Sequence, residues 1–166
     1  GLPHLVDSQI QRGHMRAVIQ RVRSASVTVD NNIVSSIGPG LLCFIGIKDT
    51  DQQADAEFIC KKILKTRAFN SQEGEKGWDQ DVQQASYEVL LVSQFTLYAR
   101  LRKPRPDFSK AMPPTNARDF YLEFVQRVQQ QHQADMVKDG VFGAMMDVEL
   151  VNWGPVTFMI DSESTD

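Results

Sequence analysis

Apolar and polar positions alternate with a period of two through "RAVIQRV" (Arg16 to Val22) and "ASVTV" (Ala25 to Val29). Both stretches are rich in β-branched residues, and both predict strands. Turn signals, "DNN" before and "GPG" (Gly38 to Gly40) after, bracket a further strand in "IVSSI" and make "GPG" a hairpin turn. In "LLCFIGI" (Leu41 to Ile47) the alternation disappears, which predicts a central strand buried on both faces. The period then lengthens. In "DQQADAEFICKKILKTRAF", Ala56, Ile59, Cys60, Ile63 and Leu64 form one stripe, with Lys61, Lys62 and Lys65 mostly away from it, so a helix is expected. A polar loop, Ser71 to Asp81, leads to a second buried strand in "YEVLLVSQFTLYA" (Tyr87 to Ala99). From about Asn116 to Gln131, Ala117, Phe120, Tyr121, Phe124, Val125 and Val128 recur at helical spacing. The last strands are expected in "VFGAMMDVELV" and "VTFMI". Strands at both ends with helices between them predict one α/β domain. Its sheet should be mixed and largely antiparallel, or an open barrel, flanked by two main helices.

Composition narrows the class. With 42% hydrophobic residues in 166, the chain has enough apolar material for one real core. No apolar run reaches about 18 residues, so no membrane-spanning helix is encoded. Cys43 and Cys60 lie in apolar stretches and form no CxxC pair; they read as buried hydrophobes in a reducing, cytoplasmic compartment. None of His4, His14 and His132 accompanies a second ligand at metal-binding spacing, so neither a metal nor a cofactor is expected. Residues 1–14 lack the basic-then-apolar layout of a signal peptide and are read as a tag or extension. The domain is then expected over 15–162, with a short tail over 163–166.

The familiar catalytic signatures are missing. The chain has no GxxxxGK[ST], GxGxxG, GxSxG or HExxH. His132 sits in "QQQHQ", at what should be a solvated helix end, so a histidine base is not expected. Two stretches stand out instead. At "SQFTL" (Ser93 to Leu97) a buried strand turns polar with no Gly or Pro to end it. At "VNWGPVTFMID" (Val151 to Asp161) a Gly-Pro pair interrupts a strand-like run, where proline cannot donate a ladder hydrogen bond. A tight turn is one account; backbone presented to a ligand is the other.

Taken together, "MRAVIQRV", "SQFTLYA", "KPRPDFSKAMP", "KDGVFGAMM" and "NWGPVTF" closely resemble the D-aminoacyl-tRNA deacylases, in the family's order and from about Met15 to Ser162. The resemblance implies a homodimeric hydrolase of D-aminoacyl-tRNA, which also clears glycine mischarged on tRNA for alanine. It implies that the Gly154-Pro155 peptide is cis and enters the partner's active site, where its carbonyls reject an L side chain. Arg21, by the same resemblance, steadies the incoming Gly-Pro. Ser93, Gln94, Phe95 and Thr96 line the pocket of the aminoacyl ester. Met112, Pro113, Phe142, Gly143 and Ala144 match segments around the terminal adenosine, although Phe142 reads equally well as core. The family relies on the 2′-OH of the terminal ribose rather than on a side chain. A threonine hydroxyl without an activating base is a weak nucleophile, so Thr96 is expected to position rather than attack.

Charge fits in part. A net charge of −3 disfavours a broad RNA-gripping surface. Yet "RLRKPRP" holds Arg100, Arg102, Lys103 and Arg105 with no acid, directly after the SQFTLYA stretch, and is a candidate for tRNA phosphates. It has no interleaved aromatic residues for base stacking. Two other readings compete. One is the related deacylase that edits L-alanine on tRNA for threonine, which carries Pro-Gln-Ala-Thr where this chain has "SQFT". The other is a non-catalytic module that binds RNA or DNA ends.

Overall fold

The computed structural model describes residues 14–163; the expectations for residues 1–13 and 164–166 lie outside the described residues. Strand β1 (Arg16–Val29) is the hub of the sheet, pairing antiparallel with β2 (Asn32–Ile37), β3 (Gly40–Gly46) and β6 (Asp147–Asp161). Helix α1 (Gln53–Lys65) leads to β4 (Glu88–Ser93), and α2 (Pro114–Gln131) to the short β5 (Val137–Asp139). The order is β2-β1-β3-β4-β5, with β6 on β1; β3–β4 and β4–β5 are parallel, so the sheet is mixed as expected. Ser35 Oγ of β2 donates to the Asp139 carbonyl of β5, which brings the two ends of that path together into a nearly closed barrel.

Both faces of the sheet are apolar, and that is why β3 and β4 lost the alternating pattern. Leu41, Cys43 and Ile45 of β3, with Val89 and Leu91 of β4, face the buried stripes of α1 and α2. Leu42, Leu90 and Val92 face the other way and meet Val22, Ala25, Val27 and Ile37. β1 serves both layers. Its Ala17 and Ile19 belong to the first cluster, and its register against β6 then shifts so that Val22, Ala25 and Val27 enter the second. Each fully buried Leu or Ile contributes about 1.5–3 kcal/mol of burial free energy.

Several sequence expectations change. Gly38 to Gly40 is not a hairpin turn, because β2 and β3 lie on opposite sides of β1 and do not pair. The stretches around Arg16–Val22 and Ala25–Val29 are one continuous strand. The strand expected from Tyr87 to Ala99 ends at Ser93, and a 3-10 turn over Phe95–Tyr98 follows. The strand expected from Val141 begins only at Asp147, because residues 142–146 line a cavity rather than a ladder.

The chain ends are tied to the start of α1. Asp55 closes a capping box with Gln52, its Oδ2 accepting from the Gln52 amide at 2.8 Å, while its Oδ1 accepts from Ser162 Oγ. Nearby, Asp51 is buried; its Oδ2 accepts from the Lys48 amide at 2.7 Å and its Oδ1 meets no donor among the described residues. Burial, with some repulsion from Asp55 and Asp161, pushes its carboxyl up to about 7. The unfolded chain gives up this proton at lower pH than the folded one. The stability Asp51 contributes is therefore complete below about pH 4 and is lost as pH rises towards 7. Asp51→Asn should gain on the wild type by about 2 kcal/mol between pH 5 and pH 8. Parallel stability profiles in denaturant titrations at the two pH values would contradict this.

Candidate active site

At the end of β4 the chain leaves the sheet without a glycine. The Gln94 amide donates to the Ile45 carbonyl at 2.8 Å, and the backbone then tightens into the 3-10 turn. The room for this turn comes from the neighbouring strand. A Cβ on Gly46 would lie 2.9 Å from Leu97 Cβ and 3.0 Å from the Tyr98 ring, so only glycine lets the turn sit this close. Arg16 holds the turn from behind. Its Nη1 donates to the Leu97 carbonyl at 3.1 Å, its Nε to Asp161 at 3.2 Å, and its guanidinium lies 5.0 Å from the Tyr98 ring centre.

In front of the turn lies a cleft of about 780 Å³. Ser93, Gln94 and Phe95 form one wall, Phe142, Gly143 and Ala144 the facing wall, and Met112 and Pro113 the approach. All eight were singled out from sequence, and the fold brings them together across 50 residues of chain. Thr96 is set apart. It is exposed beside the cleft, and its Oγ1 accepts a hydrogen bond from Gln94 Nε2. Phe142 lines the cleft and also packs on Tyr121. Sequence reasoning missed Ile45, Val92, Ala117 and Val148, which read only as core, and Phe108, whose ring meets Phe95 edge-on at 5.1 Å.

The cleft's chemistry is unusual for a hydrolase. None of its lining residues is Asp, Glu, His, Lys, Arg, Cys or Tyr. Thr96 Oγ1 faces an amide donor and has no base to take its proton. His132 caps α2 instead, with Nε2 2.8 Å from the Tyr87 carbonyl. Away from the cleft, the meeting of the chain ends does gather potential ligands that sequence spacing separated. His14 Nδ1 lies 2.5 Å from Glu163 Oε2 and 3.8 Å from Asp161 Oδ1.

Beyond Phe95 the rim is basic. Arg100 and Asp107 bridge through paired backbone hydrogen bonds of 2.8 and 3.0 Å, closing a loop whose residues 101–107 are exposed. Arg100, Arg102, Lys103 and Arg105 form no ion pair among the described residues. Phe108 at the loop's end supplies the aromatic neighbour that the local sequence lacked.

The Gly-Pro pair is not a turn between two strands, because β6 runs through it. From Asn152 to Thr157, β6 takes five steps while β1 takes two, from Val22 to Gln20, so residues 153–155 bulge out of the ladder. That outward step is what tolerates a proline in mid-strand. The Gly154-Pro155 peptide is cis, and both residues are exposed. Gly154 has φ +150°, and a Cβ there would lie 2.7 Å from the Val156 amide nitrogen. Asn152 staples the bulge: its Oδ1 accepts from the Val156 amide at 2.7 Å and its Nδ2 donates to the Val156 carbonyl at 3.1 Å. Arg21 holds its own chain's bulge, with Nε donating to the Trp153 carbonyl and Nη1 to the Ala68 carbonyl, both at 2.8 Å. The Trp153 ring lies 5.0 Å from Arg21 and 4.7 Å from Arg23.

Comparison with known proteins accords with this geometry. The family model for D-Tyr-tRNA(Tyr) deacylase matches residues 18–161. A D-aminoacyl-tRNA deacylase of Dictyostelium discoideum is 48% identical over 149 residues, covering 90% of this chain and 99% of that one. D-aminoacyl-tRNA deacylase 1 of Homo sapiens is 43% identical, covering 89% and 70%. Among solved structures, the c-Myc DNA Unwinding Element Binding Protein superposes with a TM-score of 0.84 at 42% identity, over 87% of this chain and 97% of that one. A structure described as a probable eukaryotic D-amino acid tRNA deacylase shares the fold, with a TM-score of 0.75 at 18% identity over 89% and 99%. With a family model spanning most of its length and relatives at this identity, the chain belongs to the D-Tyr-tRNA(Tyr) deacylase family.

Proposed function

We propose that this protein hydrolyses the ester joining a D-amino acid to the terminal ribose of tRNA, releasing free tRNA and the D-amino acid, and that it also removes glycine mischarged on tRNA for alanine. The observation that carries the reading is a deep cleft with no acid, base or thiol on its walls. Such a site suits a substrate that brings its own catalytic group. The 2′-OH beside the ester assists the attacking water, the bond from the carbonyl carbon to the 3′-oxygen breaks, and that oxygen takes up a proton. The protein's part is to hold the ester. The first amide of the 3-10 turn, that of Phe95, has no acceptor within the turn and serves in this reading to receive the carbonyl oxygen as it gains charge. Ser93 and Gln94 shape the adjoining wall, Met112, Pro113 and Phe142 to Ala144 take the adenosine, and the basic loop over 100–105 takes phosphates of the acceptor end.

Selectivity in this reading comes from a second subunit. The exposed Gly154-Pro155 bulge of each protomer enters the partner's cleft and crowds an L side chain, with Arg21 and Asn152 holding the bulge in shape. The working unit is a cytoplasmic two-fold homodimer. Among the described residues, no helix is long and apolar enough to cross a membrane. The editing of L-alanine finds no support in the wall residues, since Ser93 and Phe95 stand where that group has proline and alanine.

Turnover separates the enzyme from an end-binding module. Excess D-tyrosyl-tRNA should be deacylated many times over by each protomer. Retention of the ester with stoichiometric complex formation would point to the binder. Sedimentation should give a dimer under assay conditions, and full activity in a monomer would remove the cross-subunit arrangement.

A further inference from the structure

Behind the cleft, one side chain touches a wall residue, Phe142, and the strand that leads into the other wall. Tyr121 of α2 is fully buried, and its Oη lies 3.1 Å from the Leu91 carbonyl and in a short hydrogen bond to Asp139 Oδ1. Leu91 is two residues before Ser93 on β4; Asp139 is three residues before Phe142, at the end of β5. The Gly140 amide also reaches the Leu91 carbonyl, at 3.0 Å. The Tyr121 ring packs on Phe142 with centroids 5.7 Å apart, and Ala117, one helical turn earlier, lines the cleft itself.

We propose that Tyr121 is a positioning residue, its hydroxyl tying the Ser93–Phe95 wall to the Phe142–Ala144 wall and so setting the width of the cleft. The inference rests on the cleft being the aminoacyl-ester site. A phenol has one proton, and here two acceptors face it. Tyr121 Oη donates to Asp139 Oδ1, and the Leu91 carbonyl stands as its second acceptor. The walls follow different strands joined by only a short parallel ladder, Val89 to Leu91 with Val137 to Asp139. At its last rung the tyrosine bridge and the Gly140 bond link the two strands.

Tyr121→Phe keeps the ring on Phe142 and deletes the tie. Measured well below the thermal midpoint, it should lower kcat for D-tyrosyl-tRNA by about 10- to 100-fold, the scale of a small misplacement, with KM changed by less than about twofold. The D-to-L rate ratio, which does not depend on the folded fraction, should fall about tenfold. Asp139→Ala should behave likewise, and Asp139→Asn, which keeps an acceptor oxygen there, should recover most of the loss. Amide hydrogen exchange supplies a reading independent of catalysis. In Tyr121→Phe, peptides covering 93–99 and 140–146 should exchange faster together, with the α1 peptide 53–65 unchanged. The proposal is overturned if Tyr121→Phe keeps the wild-type D-to-L ratio, if Asp139→Asn is as impaired as Asp139→Ala, or if exchange rises equally in α1. Should the wild type itself spare D-tyrosyl-tRNA, the reading of the site fails, and the exchange experiment still decides the tie.

Discussion

Purified protein is expected to release tyrosine from D-tyrosyl-tRNA at least about 100-fold faster than from L-tyrosyl-tRNA, a difference of about 2.7 kcal/mol between transition states. The cleft wall is mostly apolar, with Ser93, Gln94 and Ser109 as its polar side chains and no charged one. In the proposed reading, discrimination by attraction is therefore weak and rejection supplies it. The Gly154-Pro155 bulge is suited to that task. It is backbone, it protrudes, and it is held by Asn152 on one side and Arg21 on the other. A rigid obstacle costs the wrong enantiomer the full clash, whereas a mobile one would yield. Asn152→Ala removes two bonds to Val156 and should reduce the D-to-L ratio about tenfold, mainly by speeding hydrolysis of the L form. Comparable rates for D- and L-tyrosyl-tRNA in the wild type would end the rejection model. Under the rejection model D-aspartyl-tRNA should behave as D-tyrosyl-tRNA does, because that model inspects only the configuration at Cα.

The second large effect is chemical. A tRNA ending in 2′-deoxyadenosine, charged with D-tyrosine on its 3′-OH, should be cleaved at least about 1,000-fold more slowly than normal substrate, while Thr96→Ala keeps activity within about tenfold. Correctly held neighbouring groups are worth about 7–11 kcal/mol in effective molarity, so losing such a group outweighs losing a positioning hydroxyl. The geometry favours this order. Thr96 Oγ1 is engaged by an amide donor and lies off the cleft wall, and no lining side chain can accept a proton from it. If the deoxy substrate reacts at the normal rate and Thr96→Ala is inactive, the protein supplies the nucleophile and the reading of the cleft is wrong.

The hydrophobic pattern of the sequence determined which residues are core. Ala56, Ile59, Cys60, Ile63 and Leu64 of α1, and Ala117, Tyr121, Phe124, Val125 and Val128 of α2, are all buried, because a helix repeats its face regardless of what covers it. The two-sided apolar runs of β3 and β4 likewise foretold central strands. By resemblance, motifs near Ser93, Met112 and Phe142 singled out residues that line the cleft, and Gly154 marks the bulge of β6. What the pattern left open was every question of pairing. The 3-10 turn after Ser93 depends on the missing Cβ of Gly46 across the sheet and on the grip of Arg16, neither visible in "SQFTL". The Gly154-Pro155 excursion looks like a turn locally and becomes a bulge only against β1, which takes two steps where β6 takes five. The Tyr121 tie joins α2, β4 and β5, and in sequence it is only one more apolar position on a helical stripe. Local periodicity records how a segment meets an inside and an outside. Register, close approach and shared hydrogen bonds arise between segments far apart in the chain, and these tertiary pairings decided the shape of the cleft.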